Sequence, residues 1–259
     1  MYKPKITPLG QHSPDQLEPL PDSFTLLAWN LQKVDFSDFL LRPIEQLIEV
    51  PAPHLLSLQE ASTLSAQNRF FNFPFAMTPN IQTAKGHYGV LTASPHPIKP
   101  YQQHLTRARE IGLTTHKPAL ITQHPLANGQ ILTHVNIHAI NFVSNKVFNQ
   151  ELEYLWAFLS YQTGPMVISG DFNTWNKTRF FMLEKATRSL NLEMVAFPDS
   201  KPIKTMLNQP LDHIFYRELT LQDAHTISVP NISDHNPLIA TFQIYKDPKN
   251  ELTKILNNK

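Results

Sequence analysis

The sequence predicts a mixed α/β protein built as one domain, on three observations. Apolar runs of strand character outnumber helical ones, the helical stretches fall between strands, and no break in composition divides the chain after residue 24. The 259 residues suit one large domain, and a hydrophobic fraction of 41% against 17% charged supplies a core to bury. There are 22 prolines against 7 glycines, which implies short elements joined by stiff loops.

Residues 1–23 are proline-rich with little hydrophobic periodicity, and read as an extended or partly ordered arm before a domain over 24–246. FTLLAWN (24–30) is a continuous apolar run, the mark of a central strand. The next stretch places Phe36, Phe39, Leu40, Ile44, Leu47 and Ile48 at helical spacing, with Pro43 breaking or kinking that helix early. HLLSLQE (54–60) is the second strand. Phe70, Phe71, Phe73 and Phe75 form an aromatic run whose expected use is burial, with a lipid interface as the alternative. MTPNIQTAKGHYG (77–89) reads as a mobile lid, overlapping the strand YGVLTAS (88–94), which the loop PHPIKP closes.

THKPALITQHPL and GQILTHVNIHA read as neighbouring strands joined by the turn at Asn128-Gly129. In the second, Ile131, Val135 and Ile137 share one face and His134, Asn136 and His138 the other. Residues 145–161 form an amphipathic helix with Val147, Leu152, Leu155, Trp156 and Leu159 inward. MVISG is a strand and TRFFMLEKATRSL a helix. LDHIFYR (211–217) and NPLIATFQIY (236–245) are late strands, and 247–259 is a polar tail.

Polar residues collect where these strands stop. Asn30 ends the first and Glu60 the second; His138 ends the NIH strand; Asp171 and Asn173 close VISGDFN. Asp212 opens DHIFYR, and Asp234 and His235 lie in SDHNP just before the last strand. Taken singly, each is an ordinary turn former or surface residue. Taken together, in order and at successive strand boundaries, they read as a site carried by loops on a rigid sheet. Glu60 and Asp234 are hard oxygen donors suited to Mg²⁺ or Mn²⁺. Asp171 and Asn173, two apart, share a face if the strand continues, one to orient a water and the other to donate to a developing oxyanion. An imidazole at His235 with a carboxylate at Asp234 or Asp212 completes a set suited to phosphoester hydrolysis.

Other chemistries are disfavoured. There is no cysteine, hence no disulfide framework or thiolate nucleophile, and no GxGxxG, P-loop, HExxH or GxSxG motif. A net charge of +1 provides no broad basic field for non-specific nucleic-acid binding. With no signal-peptide core and no run of 18 apolar residues, the expectation is a cytoplasmic monomer without a membrane span.

The motifs WN (29–30), LQE (58–60), NIH (136–138), GDFN (170–173), LDHIF (211–215) and SDHNP (233–237) resemble the endonuclease/exonuclease/phosphatase superfamily, which includes pancreatic-type deoxyribonucleases, apurinic endonucleases, inositol polyphosphate 5-phosphatases and bacterial sphingomyelinases. The resemblance runs from about residue 24 to 245. VNIHAINF, GDFNTW, PLDHIFYR and SDHNPL resemble its YafD-like bacterial subgroup. It implies a four-layered α/β sandwich, two mixed sheets face to face with helices outside, and metal-dependent phosphoester cleavage. By that likeness Asn30 and Glu60 hold a divalent cation, Mg²⁺ or Mn²⁺. Asp171 orients the water, Asn173 steadies the transition state, Asp212 supports the catalytic His235, and Asp234 is a metal ligand or histidine partner. His138 matches a phosphate-contacting position. The 5-phosphatase Pro-x-Trp-Cys-Asp-Arg run and the apurinic endonucleases' Arg-x-Asp are both absent, Asp212 being preceded by Pro210 and Leu211.

The substrate stays open. Arg107, Arg109 and Lys117, then Lys177 and Arg179, are the basic clusters, and Arg109, Lys177 and Arg179 are candidate substrate contacts. The paired imidazoles His138 and His235 favour a nuclease or phosphodiesterase on nucleic acid. The near-neutral charge favours a phosphatase or phospholipase C-type enzyme on a phosphoinositide, sphingomyelin or small phosphoester. A non-catalytic binding module is the third alternative.

Overall fold

The computed structural model describes residues 17–32, 52–110, 115–229 and 231–245. The helix expected over 36–48, the first 16 residues of the arm and the tail from 247 lie outside these. In chain order the strands are β1 (Ser23–Asn30), β2 (Leu55–Leu64), β3 (Phe75–Gln82), β4 (Gly86–Ala93), β5 (Lys99–Leu105), β6 (Pro118–Pro125), β7 (Ile131–His138) and β8 (Met166–Asp171), then β9 (Glu193–Met194), β10 (Thr205–Met206), β11 (Gln209–Pro210), β12 (Asp212–Arg217), β13 (Leu219–Thr226) and β14 (Leu238–Ile244). Two helices are described, α1 (Asn145–Leu159) and α2 (Lys177–Ser189). None among the described residues is long and apolar enough to cross a membrane.

The strands form two six-stranded sheets, ordered β13-β14-β1-β2-β4-β3 and β5-β6-β7-β8-β12-β9. Both are mixed. β1 runs parallel to β2 and antiparallel to β14, and β8 runs parallel to β7 and antiparallel to β12. Side-chain alternation explains the layering. Phe24, Leu26, Ala28, Leu132, Val167, Ile214, Ala240 and Phe242 fill the space between the sheets. Val135, Ile137, Ile168 and Phe215 face outward, where Phe148, Leu152, Leu155, Trp156 and Leu159 of α1 and Leu183 of α2 cover them. Leu27, Trp29, Leu56, Leu58, Phe70 and Phe75 form a further cluster on the outer face of the first sheet, so the aromatic run is used in packing. This is the expected α/β sandwich.

Three strands depart from the expectation. The presumed lid over 77–89 is most of a hairpin, β3 and β4 joined by a short turn. PHPIKP leads into β5, and the residues after LDHIFYR form β13. All three are sheet edges, and each pairing carries a register shift, at Pro79/Ile81, Pro100/Gln102 and Leu221/Asp223. An edge strand needs neither a continuous apolar run nor every backbone N–H, so Pro79 and Pro100 are tolerated there.

Candidate active site

The site straddles the gap between the sheets. In the second sheet His138, Asp171 and Asp212 stand in one row, because His138 is the register partner of Asp171 and Asp171 that of Asp212. The first sheet contributes Asn30 at the end of β1, Glu60 within β2, and the loop before β14 with Asp234 and His235. Side chains meet across the gap. Asn30 Nδ2 donates to Asp171 Oδ2 at 3.0 Å, and His235 Nδ1 donates to Asp212 Oδ2 at 2.7 Å. His138 Nε2 lies 3.7 Å from Asp171 Oδ2 and 3.9 Å from Glu60 Oε1.

Local bonds fix the loop that carries His235. Trp29 Nε1 donates to His235 O at 2.8 Å, Ser233 Oγ to Asn30 O at 2.7 Å, and His235 N to Ser233 Oγ at 3.1 Å. The WN and SDH motifs therefore hold each other. On the far side, Phe172 is fully buried against His213 and Phe215, anchoring the turn after β8 in the core.

The electrostatics pull the central groups apart. Burial, then the Asp212 carboxylate, push the Asp171 carboxyl up to about 7, against the opposing pull of His235, the Asn173 N–H and Lys117. For His235 burial alone would lower the imidazole, but Asp212, through charge and hydrogen bond, together with Asp171 and Asp234, raises it to about 9. The site thus offers a carboxyl poised near neutrality beside an imidazole that keeps its proton, the pattern of an acid–base site.

Two residues depart from simple strand geometry. Glu60 does not end its strand: it sits inside β2 at a bulge between Leu58 and Ala61, with φ +51°. Asn173 is also left-handed, at φ +51°, so it does not continue β8 and share a face with Asp171. Its backbone N–H donates instead to Asp171 Oδ1 at 2.9 Å, and its side-chain Nδ2 to Ala139 O at 2.9 Å. A left-handed residue costs about 1 kcal/mol at Glu60 and less at Asn173, since asparagine adopts that conformation more readily.

The remaining candidates divide. Asp234 is 42% exposed and its carboxylate pairs with Lys204 Nζ at 2.8 Å, 3.8 Å from His235 Nε2. Arg109 Nε donates to His116 Nε2 at 3.1 Å. Lys177 is exposed at the start of α2. Arg179 is a correction. It is fully buried between the Phe148 and Trp175 rings, and its guanidinium donates to Val143 O, Asn173 O, Ile140 O and Asn145 Oδ1 at 2.7–3.4 Å, with no exposed surface to meet a substrate. Of the basic clusters it is Lys117 that reaches the centre. Its Nζ donates to His138 Nε2 at 2.9 Å and lies 3.6 Å from Glu110 Oε2 and 4.0 Å from Glu60 Oε1. Its position immediately before the β6 strand was the available signal, since it falls at a strand boundary like the other site residues.

The donor set suits a hard divalent cation. Among the described residues, Asp171, Asp212 and His235 each offer a ligand atom within 4.8 Å of the others. Glu60 and the Asn30 amide border the same cleft, all oxygen and imidazole donors without a thiolate. Glu60 and Asp234 lie outside that three-residue group, Asp234 being turned to Lys204.

Comparison with known proteins gives consistent results. A profile of the endonuclease/exonuclease/phosphatase family matches residues 27–235. A UPF0294 protein of Yersinia enterocolitica is 35% identical over 244 residues, covering 91% of this chain and 90% of its own length. A UPF0294 protein of Klebsiella pneumoniae is 37% identical over 194 residues, 73% of this chain and 71% of that one. Among solved structures, an endonuclease/exonuclease/phosphatase family protein from Leptotrichia buccalis superposes with a TM-score of 0.64 at 16% identity, over 85% of this chain and all of that one. The human nocturnin catalytic domain with bound sulfate superposes at 0.59 and 17% identity, over 89% and 97%. The order of the site motifs along the chain, the two facing mixed sheets and the span of the profile match agree: the chain belongs to the endonuclease/exonuclease/phosphatase family.

Proposed function

We propose that this chain is a divalent-metal-dependent phosphoester hydrolase acting as a nuclease or phosphodiesterase. The observation that carries the reading is the Asp212–His235 pair set opposite Asp171, with one carboxyl raised toward neutrality and one imidazole held protonated. Asp171, oriented by Asn30 Nδ2 and the Asn173 N–H, accepts a proton from the attacking water as its oxygen bonds to phosphorus. His235 gives its proton to the departing ester oxygen as the P–O bond breaks, and Asp212 stabilises and orients that imidazolium. Lys117 and His138 face the phosphoryl oxygens, and Asp234 with Lys204 forms the rim. A bound Mg²⁺ or Mn²⁺, held by Glu60 and Asn30, would polarise the phosphoryl group.

A nucleic-acid substrate is supported by structural relatives. The Danio rerio TDP2 structure in complex with a single-strand DNA product superposes with a TM-score of 0.57, and the endonuclease domain of the TRAS1 retrotransposon at 0.61. The near-neutral charge favours the second reading, a phosphatase or phospholipase on a small or lipid phosphoester. The test is release of p-nitrophenol from bis-p-nitrophenyl phosphate with Mg²⁺, Mn²⁺ or EDTA, for wild type, Glu60→Ala and His235→Ala. Cation-dependent release that falls at least a hundredfold in each variant is expected. Equal rates in EDTA, or indifference to both substitutions, would sink the proposal. Plasmid nicking set beside phosphate release from phosphoinositides then separates the two substrate classes.

A further inference from the structure

Glu60 faces the site only because β2 is interrupted. Leu56 and Leu58 belong to the outer cluster and Leu55 to the inter-sheet cluster, so strict alternation would send Glu60 outward with Leu58. The bulge breaks that alternation. Leu58 pairs with Leu91 and Ala61 with Gly89, leaving Gln59 and Glu60 together opposite Val90. A bulge disturbs the ladder, and the carbonyls beside it need other donors. Here a single side chain from the opposite sheet donates to one carbonyl on each of the two strands. Asn136 Nδ2, on β7, donates to Leu58 O at 3.1 Å and to Leu91 O at 2.9 Å. Its Oδ1 accepts from Gln59 Nε2 at 2.8 Å, and the same Nε2 lies 3.1 Å from Ser57 O. Both side chains are fully buried, so neither bond can be replaced by bulk water.

The opposite strand leaves room for this arrangement. A Cβ at Gly170 would come within 3.1 Å of Gln59 Nε2 and 2.0 Å of Ile137 O. Asn136 also lies two residues before His138 on the same face of β7, so the contact ties Glu60 to the strand whose imidazole stands 3.9 Å from its carboxylate. We propose that Asn136 and Gln59 form a latch between the two sheets that holds the β2 bulge open and sets the position of Glu60, making both of them positioning residues. The latch rests on the proposed function only in what Glu60 does once placed: hold the divalent cation.

The test pairs Asn136→Ala with Ser169→Ala. Ser169 belongs to the same buried polar band, bonded to Ser57 and His134, but does not touch the bulge. Each variant is checked for fold by circular dichroism and thermal melting, titrated with Mn²⁺ alone by electron paramagnetic resonance, and crystallised. Asn136→Ala is expected to weaken Mn²⁺ binding at least tenfold, the scale seen when supports of metal ligands are removed, and to release Glu60 from its left-handed conformation. Ser169→Ala is expected to melt earlier yet bind Mn²⁺ within twofold of wild type. Should Asn136→Ala fail to fold, Gln59→Met keeps the bonds from Asn136 to both carbonyls and is expected to weaken Mn²⁺ binding at least threefold. Mn²⁺ binding within twofold of wild type in the folded latch variants, with Glu60 still left-handed beside His138, overturns the latch. A wild-type protein that binds no Mn²⁺ overturns the metal reading instead, and the conformation of Glu60 in the variant crystals still decides the latch.

Discussion

His235 Nδ1 donates to Asp212 Oδ2 across 2.7 Å, and the two residues come from opposite sheets: Asp212 opens β12 in the second, and His235 precedes β14 in the first. A bond this short between buried groups fixes the imidazole tautomer and leaves Nε2 toward the cleft. It also makes the charge state of the site depend on how the two sheets are packed together.

That dependence sets a pH profile. Under the proposed mechanism kcat/KM rises as Asp171 loses its proton near pH 7 and falls as His235 loses its proton near pH 9. Asp212→Asn removes the charge that raises His235, while burial, which lowers it, remains. The alkaline limb is expected to move toward neutrality by more than one pH unit, and kcat/KM at pH 8 to fall roughly 10²-fold or more. The measurement is kcat/KM from pH 5 to 10 for both proteins. An unmoved alkaline limb would remove His235 as the acid.

Arg179 is expected to matter for stability and not for substrate. It is buried, stacked between two aromatic rings and bonded to the loops that follow β7 and β8. Arg179→Met leaves those carbonyls without their donor and should cost about 3 kcal/mol. Urea unfolding reads the loss, and KM measured on folded protein should stay within about threefold of wild type. A large rise in KM with normal stability would restore Arg179 as a substrate contact.

Much of the site was legible because buried strands announce themselves. FTLLAWN and MVISGD are apolar enough to be recognised, and the polar residues at their ends stand out against them. Glu60 reads as the end of its strand but lies in a bulge, because nothing in HLLSLQE signals a left-handed residue there; the Asn136 side chain bonded at that bulge is 76 positions away in the chain and in the other sheet. Arg179 was misread for a related reason, since a basic residue just past GDFN looks the same whether it turns outward or inward. The edge strands β3, β5 and β13 escaped notice because a strand paired on one side only needs little pattern, and two of them contain proline.

Gly170 and Gly129 separate two uses of glycine. Both have positive φ, +139° and +86°. A Cβ at Gly129 meets nothing within 4 Å, so Gly129→Ala bears only backbone strain, about 1 kcal/mol. A Cβ at Gly170 would strike Ile137 O at 2.0 Å, in the register pair next to His138 and Asp171. Gly170→Ala should therefore cost about 3 kcal/mol or more and disturb the row of His138, Asp171 and Asp212. Thermal melting of the two variants together provides the check; equal losses would mean that the close approach is relieved by movement of β7.

Acid should destabilise the fold well before ordinary carboxylates titrate. Burial lowers His124 to about 3 and His213 to about 4, and takes His134 well below its usual value; partly buried His104 is lowered to about 4. In the unfolded chain each titrates near 6.5. Between that value and the folded one the unfolded state binds more protons, so the stability these groups provide is complete above pH 6.5 and is lost as pH falls toward 3–4. Each such histidine contributes about 1.4 kcal/mol per pH unit in that window. Asp171 acts in the opposite direction, its raised carboxyl giving stability that is complete below 3.8 and lost as pH rises through about 7. His235, raised to about 9, also gives stability that is lost as pH rises, but that gain is complete below 6.5, so from there to pH 5 one carboxyl offsets only part of several imidazoles and the net effect of acid is loss. The melting temperature, measured in EDTA, is expected to fall steadily from pH 7 to 5. His213→Gln, in a site ringed by Phe172, Phe180 and Phe215, should be less stable at pH 7 but show a shallower acid slope. A melting temperature that does not change between pH 7 and 5 would mean that these imidazoles gain solvent or a counter-charge that the buried arrangement does not provide.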